Sequence, residues 1–141
     1  MNAPAGNWSQ GERGLAALPG REEEFHRSLE RARHYATALG CRRVHVMAGL
    51  RCDALTHQAQ LELLRNRLRI ACDVLAVAGI DVLIEPLNSQ DMPGYFIDSF
   101  PLAAAIIDQV ARNNIGLQFD IYHCQKIHGN VAKNIERYFT L

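Results

Sequence analysis

Two acidic residues end apolar segments that have the composition of buried β-strands. Glu85 closes the segment 81–85, and Asp120 closes the segment 115–120. Because functional residues of α/β folds gather at the carboxyl ends of parallel strands, both carboxylates are expected at one edge of a sheet. Carboxylates are costly there unless they are paired, hydrogen-bonded or bound to a cation. The pair therefore predicts a divalent-ion site, and a partly buried Glu85 with a raised pKa could also transfer protons.

Three polar residues near these acids are further candidates. His123 comes three residues after Asp120 and could be a metal ligand, a hydrogen-bond donor to a substrate or an ordinary loop histidine. Asn88 comes three residues after Glu85, and a turn is at least as consistent with it as a substrate contact. Alternation along the preceding strand assigns the side chain of His45 to the inner face. For an isolated acid at a strand end, capping of the next helix or an ion pair with a surface Arg is the commoner role.

The opening loop contributes one more charged pair, Glu12 and Arg13. An Arg fork matches the geometry of a carboxylate, so Arg13 is a candidate for contacting a carboxylate substrate. A solvated loop charge is the commoner outcome for such a residue.

The elements that must position these residues alternate along the chain. Helical periodicity predicts helices near 25–39, 55–78 and 102–110 and a fourth from residue 130 onward. Apolar segments at 44–49, 81–86 and 115–121 predict three strands, whereas 1–20 is predicted as a loop with no strand before Asn2. This order is typical of a parallel sheet covered by helices, an α/β fold. Since the outer strands would have unpaired edges, we expect a segment of a larger barrel, on which Glu85, Gln118 and Asp120 face inward.

Composition excludes several classes of function. The chain has 141 residues, of which 48% are hydrophobic, and its 15 Lys and Arg balance its 15 Asp and Glu. A net charge of zero gives no reason to expect nucleic acid or an acidic membrane surface as a partner. The sequence shows no membrane span and no secretory signal, so we expect a cytoplasmic protein whose four cysteines are reduced thiols.

Five segments in sequence order resemble the hydroxypyruvate isomerase family of xylose isomerase-like TIM barrels. They are residues 2–8, 11–21, 44–49, 85–88 and 118–123, within a resemblance that runs from Asn2 to about Phe139. The resemblance implies that 1–141 is a single barrel segment, with loop 1–20 followed by helix–strand units. It would hold roughly strands 4 to 6 of the eight and lack barrel parts on both sides.

The resemblance also implies a reaction and roles for the candidate residues. The reaction interconverts hydroxypyruvate and 2-hydroxy-3-oxopropanoate (tartronate semialdehyde) by proton transfer through an enediolate. Glu85 would be the catalytic residue and a metal ligand, and Asp120 a second ligand. His45, Asn88 and His123 would contact the small hydroxy-keto acid. A divalent ion of the Mg or Mn type is expected, and no nucleotide cofactor is.

The resemblance places the family's remaining ligands, a Gln and a second Glu, outside this chain. The isolated chain is therefore expected to be inactive or very weak. A 2-oxo-tetronate isomerase is a close alternative, with the loop from Asn88 to Tyr95 setting the choice of substrate. A second alternative is a non-catalytic half-barrel that needs a partner, which includes a homo-oligomer. A metal-dependent nuclease of related architecture is a third, and the neutral charge counts against it.

Overall fold

A parallel sheet of three strands lies at the centre of the computed structural model, which describes all residues from 1 to 141. The strands, in spatial order, are β1 (Arg43–His45), β2 (Asp81–Ile84) and β3 (Ile115–Leu117). The helices are α1 (Glu22–Ala38), α2 (His57–Ala76), α3 (Phe100–Val110), α4 (Ile121–Ile127) and α5 (Val131–Tyr138), with a 3-10 turn at Trp8–Gln10. The predicted α/β class with parallel strands is confirmed. No helix combines the length and the hydropathy that a membrane crossing needs.

The register of the sheet decides which side chains face the helices. Val82 pairs with Val44 and Ile84 pairs with Leu117, and these side chains are buried in the hydrophobic core. Because side chains alternate along a strand, residues 83 and 85 face the opposite side. The Gln118 side chain reaches Glu85 by a hydrogen bond, so it lies on that side too. Glu85 and Gln118 therefore share the face of the sheet that points away from the helices, as the sequence predicted.

The two long helices form because their apolar residues recur at helical spacing. In α1, Phe25 and Leu29 are almost fully buried, whereas the opposite face is charged. In α2, Leu64 and Leu68 are fully buried against the sheet, and the Thr56 side chain caps the helix by accepting from the Ala59 N–H at 3.2 Å. These contacts hold β1 and β2 at fixed positions.

The first residues depart from the predicted loop. Asn2 pairs in parallel with His45, the Ala3 N–H donates to the His45 carbonyl at 2.9 Å, and the His45 N–H donates to the Met1 carbonyl at 2.8 Å. Met1–Ala3 thus lies beside β1 and makes an isolated bridge with it, a pairing that the predicted loop 1–20 did not include. Three residues are too few for the alternation of apolar and polar residues to reveal a strand.

The segment after β3 also differs from the prediction. The ladder ends at Leu117, and the side chain of Asp120 begins α4 by accepting from the Tyr122 N–H at 2.7 Å. The predicted strand to residue 121 is therefore too long, and α4 was missed. A seven-residue helix with one buried residue, Cys124, carries no apolar period that could identify it.

Candidate metal and proton-transfer site

Three candidate residues converge at the carboxyl end of the sheet. Glu85 directly follows β2, Asp120 lies just beyond β3, and His123 lies in the first turns of α4. One ligand atom from each lies within 4.8 Å of the others. Two carboxylates are oxygen donors that suit divalent ions such as Mn²⁺ or Mg²⁺, and the His123 imidazole lies beside them. These residues therefore fit the group that the sequence led us to expect.

Glu85 lies at the centre of this cluster and is only 6% exposed. The pKa of its carboxyl is raised to about 7, mainly by burial and also by the nearby Asp120 carboxylate, while the Gln118 hydrogen bond acts in the opposite direction. The Gln118 amide donates to Oε2 at 2.7 Å, and Oε1 accepts no hydrogen bond and is not sealed from solvent. Glu85 can therefore both take up and release a proton at neutral pH.

His45 lies behind Glu85, on the side of the N-terminal segment. Its Nδ1 is 3.5 Å from Glu85 Oε2, and its side chain is 3% exposed. Burial, assisted by the positive chain terminus, lowers the pKa of His45 to about 4. The imidazole is therefore neutral at pH 7, and its contact with Glu85 is not an ion pair. Its Nε2 is a buried nitrogen that has no hydrogen-bond partner.

Asp120 combines a structural and a potential ligand role. Its Oδ1 caps α4 through the Tyr122 N–H, which is the commoner role considered for an acid at a strand end. Its Oδ2 makes no hydrogen bond with the chain and is available to a cation. The cap fixes the side chain beside Glu85, so both roles are compatible.

Asn88 is enclosed in a turn and is 2% exposed. Its Oδ1 accepts from the N–H groups of Gln90 and Asp91, both at 3.1 Å. Its Nδ2 donates to Asp91 Oδ2 at 2.9 Å and lies 2.9 Å from Nδ1 of His123. Every polar atom of the side chain is engaged within the protein, so the geometry supports the turn role, and the substrate contact stays a prediction.

The charged pair of the opening loop is also engaged internally. The Glu12 carboxylate pairs with Arg21 and accepts from the Asn7 N–H. The Arg13 guanidinium lies 4.4 Å from the centroid of the Trp8 ring and donates to two carbonyls of its own loop. These contacts support a structural role for both residues, which differs from the solvated loop charge considered the commoner outcome.

Sequence reasoning assigned no role to three residues that shape the site. Gln118 donates a hydrogen bond to the Glu85 carboxylate, and Asp91 accepts from both the Asn88 amide and the Tyr122 hydroxyl. The position of Gln118 on the same strand face as Asp120 was a usable signal. Asp91 and Tyr122 meet only in the folded chain, because 31 residues separate them.

Comparisons with known proteins agree with this architecture. Residues 1–140 match the family model described as xylose isomerase-like TIM barrel. The chain is 47% identical to a 2-oxo-tetronate isomerase of Cupriavidus necator and 36% identical to a hydroxypyruvate isomerase of Escherichia coli, each over 97% of the chain. A crystal structure from Brucella melitensis, described as an AP endonuclease of family 2, matches with a TM-score of 0.92 and 44% identity.

The matches also define how much of a barrel this chain represents. The chain spans about half the length of the curated relatives it matches, 53% in both named cases. The Brucella melitensis match covers 96% of this chain and 52% of that one. The fold is therefore a partial TIM barrel, as the sequence predicted.

Proposed function

This chain belongs to the xylose isomerase-like TIM barrel family, and from that membership we propose that it carries one part of an isomerase site for small hydroxy-keto acids. The proposed reaction interconverts hydroxypyruvate and 2-hydroxy-3-oxopropanoate. Half of the barrel supplies the residues described above. The rest of the site would come from the part of the barrel that this chain does not span.

The observation that carries the proposal is the convergence of Glu85, Asp120 and His123, with a Glu85 carboxyl whose pKa is about 7. Moving a carbonyl to the neighbouring carbon requires removal of a proton from the carbon that bears the hydroxyl. The Glu85 carboxylate takes this proton, the C–H electron pair forms the enediolate double bond, and the negative charge moves to the former carbonyl oxygen. With a pKa near 7, Glu85 can accept this proton and release it again at neutral pH.

The charge that develops on oxygen needs stabilisation. A divalent cation, when bound between Glu85 and Asp120, would supply it as a Lewis acid. The chain's own contributions are the carboxylate pair that would hold this ion and the His123 ring beside it. His45 stays neutral and excludes water from the rear of Glu85.

A second substrate of the same class is 2-oxo-tetronate. The relative from Cupriavidus necator, named for that substrate, has the higher identity of the two named above, 47% against 36%. Both reactions use the same proton transfer and differ in the length of the substrate. A nuclease activity, which the name of the Brucella melitensis protein raises, is less supported because the chain has a net charge of zero.

The test uses a complete barrel that contains this chain's sequence, assayed with both substrates and with added Mg²⁺ or Mn²⁺. We expect Glu85→Gln and Asp120→Asn each to reduce kcat by at least about 10³-fold, because each removes a proton acceptor or a charge beside the enediolate. Asp98→Asn is a matched control, because it also removes one carboxylate, there from a surface ion pair with Arg51.

Two results would contradict the proposal. Unchanged turnover in both site variants would remove Glu85 and Asp120 from the reaction. Ordinary enzymatic turnover by the isolated 141-residue chain would show that no further barrel residues are needed.

A further inference from the structure

The turn at 88–91 holds the Asn88 side chain in one orientation. Two backbone N–H groups, of Gln90 and Asp91, donate to one end of its amide, which must therefore be the oxygen. The Asp91 carboxylate accepts from the other end, which must therefore be the nitrogen. In a flipped amide the NH₂ group would face two N–H donors and the oxygen would face the Asp91 carboxylate, so these neighbours exclude the flipped orientation.

This orientation determines where the proton of His123 lies. Nδ1 of His123 receives the Asn88 backbone N–H at 3.1 Å and lies 2.9 Å from the Asn88 side-chain nitrogen. Both groups are donors, so Nδ1 must present its lone pair to them. A neutral imidazole then carries its proton on Nε2. Nε2 makes no hydrogen bond within the chain and is not sealed from solvent.

We infer that Asn88 and Asp91 are positioning residues that hold His123 as an Nε2–H donor and keep it from acting as a metal ligand. Neither ring nitrogen is free to coordinate, because Nδ1 is occupied by donors and Nε2 carries the proton. Of the three converging residues, Glu85 and Asp120 are then the ligands. The tautomer does not depend on the proposed function, and only the identity of the acceptor, an oxygen of the substrate, rests on it.

Asp91 is itself held by α4. The Tyr122 hydroxyl donates to the same carboxylate oxygen, Oδ2, that accepts from Asn88. Because Tyr122 is adjacent to His123, the turn and the helix are locked together around the ring. A displacement of the 88–91 turn would therefore also remove the hydrogen bonds that orient the His123 ring.

The test measures the tautomer directly by long-range ¹H–¹⁵N NMR of the histidine rings in the 141-residue chain. We expect the wild-type His123 signals of a protonated Nε2 and an unprotonated Nδ1, unchanged by saturating Mg²⁺. In Asn88→Asp the new carboxylate replaces one of the two donors beside Nδ1 and leaves the backbone N–H of residue 88, so we expect a measurable fraction of the rings to carry the proton on Nδ1. Gln90→Glu is the matched control, since it makes the same amide-to-carboxylate change in the same turn without touching the ring.

Three outcomes would overturn the inference. They are a wild-type ring protonated on Nδ1 or present as a mixture of tautomers, loss of the Nε2 proton when Mg²⁺ is added, and an unchanged tautomer in a folded Asn88→Asp chain. If that variant fails to fold, the wild-type spectra with and without Mg²⁺ still decide. A complete barrel without isomerase activity but with this tautomer would contradict the proposed function alone.

Discussion

Glu85 and His45 are in contact, and burial favours the neutral form of each. The pKa of Glu85 is raised to about 7 and that of His45 is lowered to about 4. In the unfolded chain these groups would titrate near their ordinary values. Between pH 4.5 and 6.5 the folded chain therefore has a protonated Glu85 and a neutral His45, whereas the unfolded chain has an ionised Glu85 and a protonated His45. The two groups therefore change the free energy of unfolding with pH in opposite directions, and these changes largely cancel.

Replacing Glu85 removes its contribution to the pH dependence of stability, so this contribution can be measured by comparison with wild type. The stabilising effect of the raised Glu85 pKa is fully present below its unfolded value and is lost as pH rises through about 7. Glu85→Gln abolishes that loss, so the variant's stability relative to wild type should increase between pH 4.5 and pH 8, by up to about 3 kcal/mol. Urea unfolding at several pH values measures this difference.

The complementary variant predicts the reverse trend. The lowered His45 pKa gives stability that is present above about 6.5 and lost as pH falls toward 4. His45→Gln should therefore gain stability relative to wild type as the pH falls from 7 to 4. Parallel pH profiles for wild type and both variants would show that neither group is buried as described.

Sequence alone predicted the direction of these side chains and a raised pKa for a partly buried Glu85, but not the lowered pKa of His45. Alternation along β2 assigns Glu85 to the inner face from the pattern of Val82 and Ile84. The pKa of Glu85 depends on its burial in the folded chain and on contacts with Gln118 and Asp120, which are remote in sequence. Such contacts exist only after folding, so no local pattern contains them.

At the scale of elements, Arg67 joins α2 to the loop before α1. It is 3% exposed, and its Nη1 donates to the carbonyls of Leu15 at 2.5 Å and Leu18 at 2.6 Å. Its Nη2 pairs with Glu22 at 2.6 Å, and its guanidinium lies 5.5 Å from the centroid of the Phe25 ring. A buried charge is stable here because the guanidinium donates three hydrogen bonds, one of them to a carboxylate, and also lies over an aromatic face.

Arg67→Met should destabilise the chain by about 3 kcal/mol, because two buried carbonyls lose their donors while the packing volume is retained. Arg27→Met is the control, since Arg27 forms an exposed pair with Glu23 and should change stability by less than about 0.5 kcal/mol. Thermal and urea unfolding compare the two. Equal effects for both variants would contradict a special role of the buried guanidinium.

Periodicity predicted the long elements well and the short ones poorly. α1 and α2 have many apolar residues at helical spacing, and Gly40 with a φ of 62° follows the end of the first of them. α4 has a single buried residue and depends on the Asp120 cap. Ser99 precedes α3, although its side chain makes no capping hydrogen bond. Short elements are determined by such tertiary contacts more than by their own pattern.

At the scale of the whole molecule, an apolar cleft lies beside β3. It is formed by Leu117, Phe119, Ile121, Ile135, Tyr138, Phe139 and Leu141. Ile121 is 60% exposed and Phe139 is 81% exposed, and no strand pairs with the outer edge of β3. An apolar surface next to an open strand edge favours association with another surface.

The 141-residue chain should therefore associate in a concentration-dependent way, measured by sedimentation velocity. The double variant Ile121→Ser and Phe139→Ser should reduce this association, since it removes exposed apolar area without affecting the core. Val77→Ser is the control, because Val77 is 80% exposed at the far end of α2. A monomer at all concentrations, or equal association in control and double variant, would refute this prediction.

The sequence predicted the barrel class because strand–helix units repeat along it, and each strand needs neighbours on both sides. The sequence could not predict that Met1–Ala3 lies beside β1, because its pairing depends on backbone hydrogen bonds with Arg43–His45. The site contains some features that the sequence predicts and others that it does not. Its acids follow from strand ends, whereas the lock around His123 follows from a loop and a helix meeting in space.

The two oxygens of Glu85 have different surroundings, since Gln118 engages Oε2 alone. Only Oε1 is then free to exchange a hydrogen with a bound molecule, and it approaches from a single direction. A flat enediolate has two faces, so isotope from heavy water should enter the hydroxymethyl group of hydroxypyruvate with one handedness. The side from which Glu85 faces the bound molecule would thereby decide which of two otherwise equivalent hydrogens the proposed reaction exchanges.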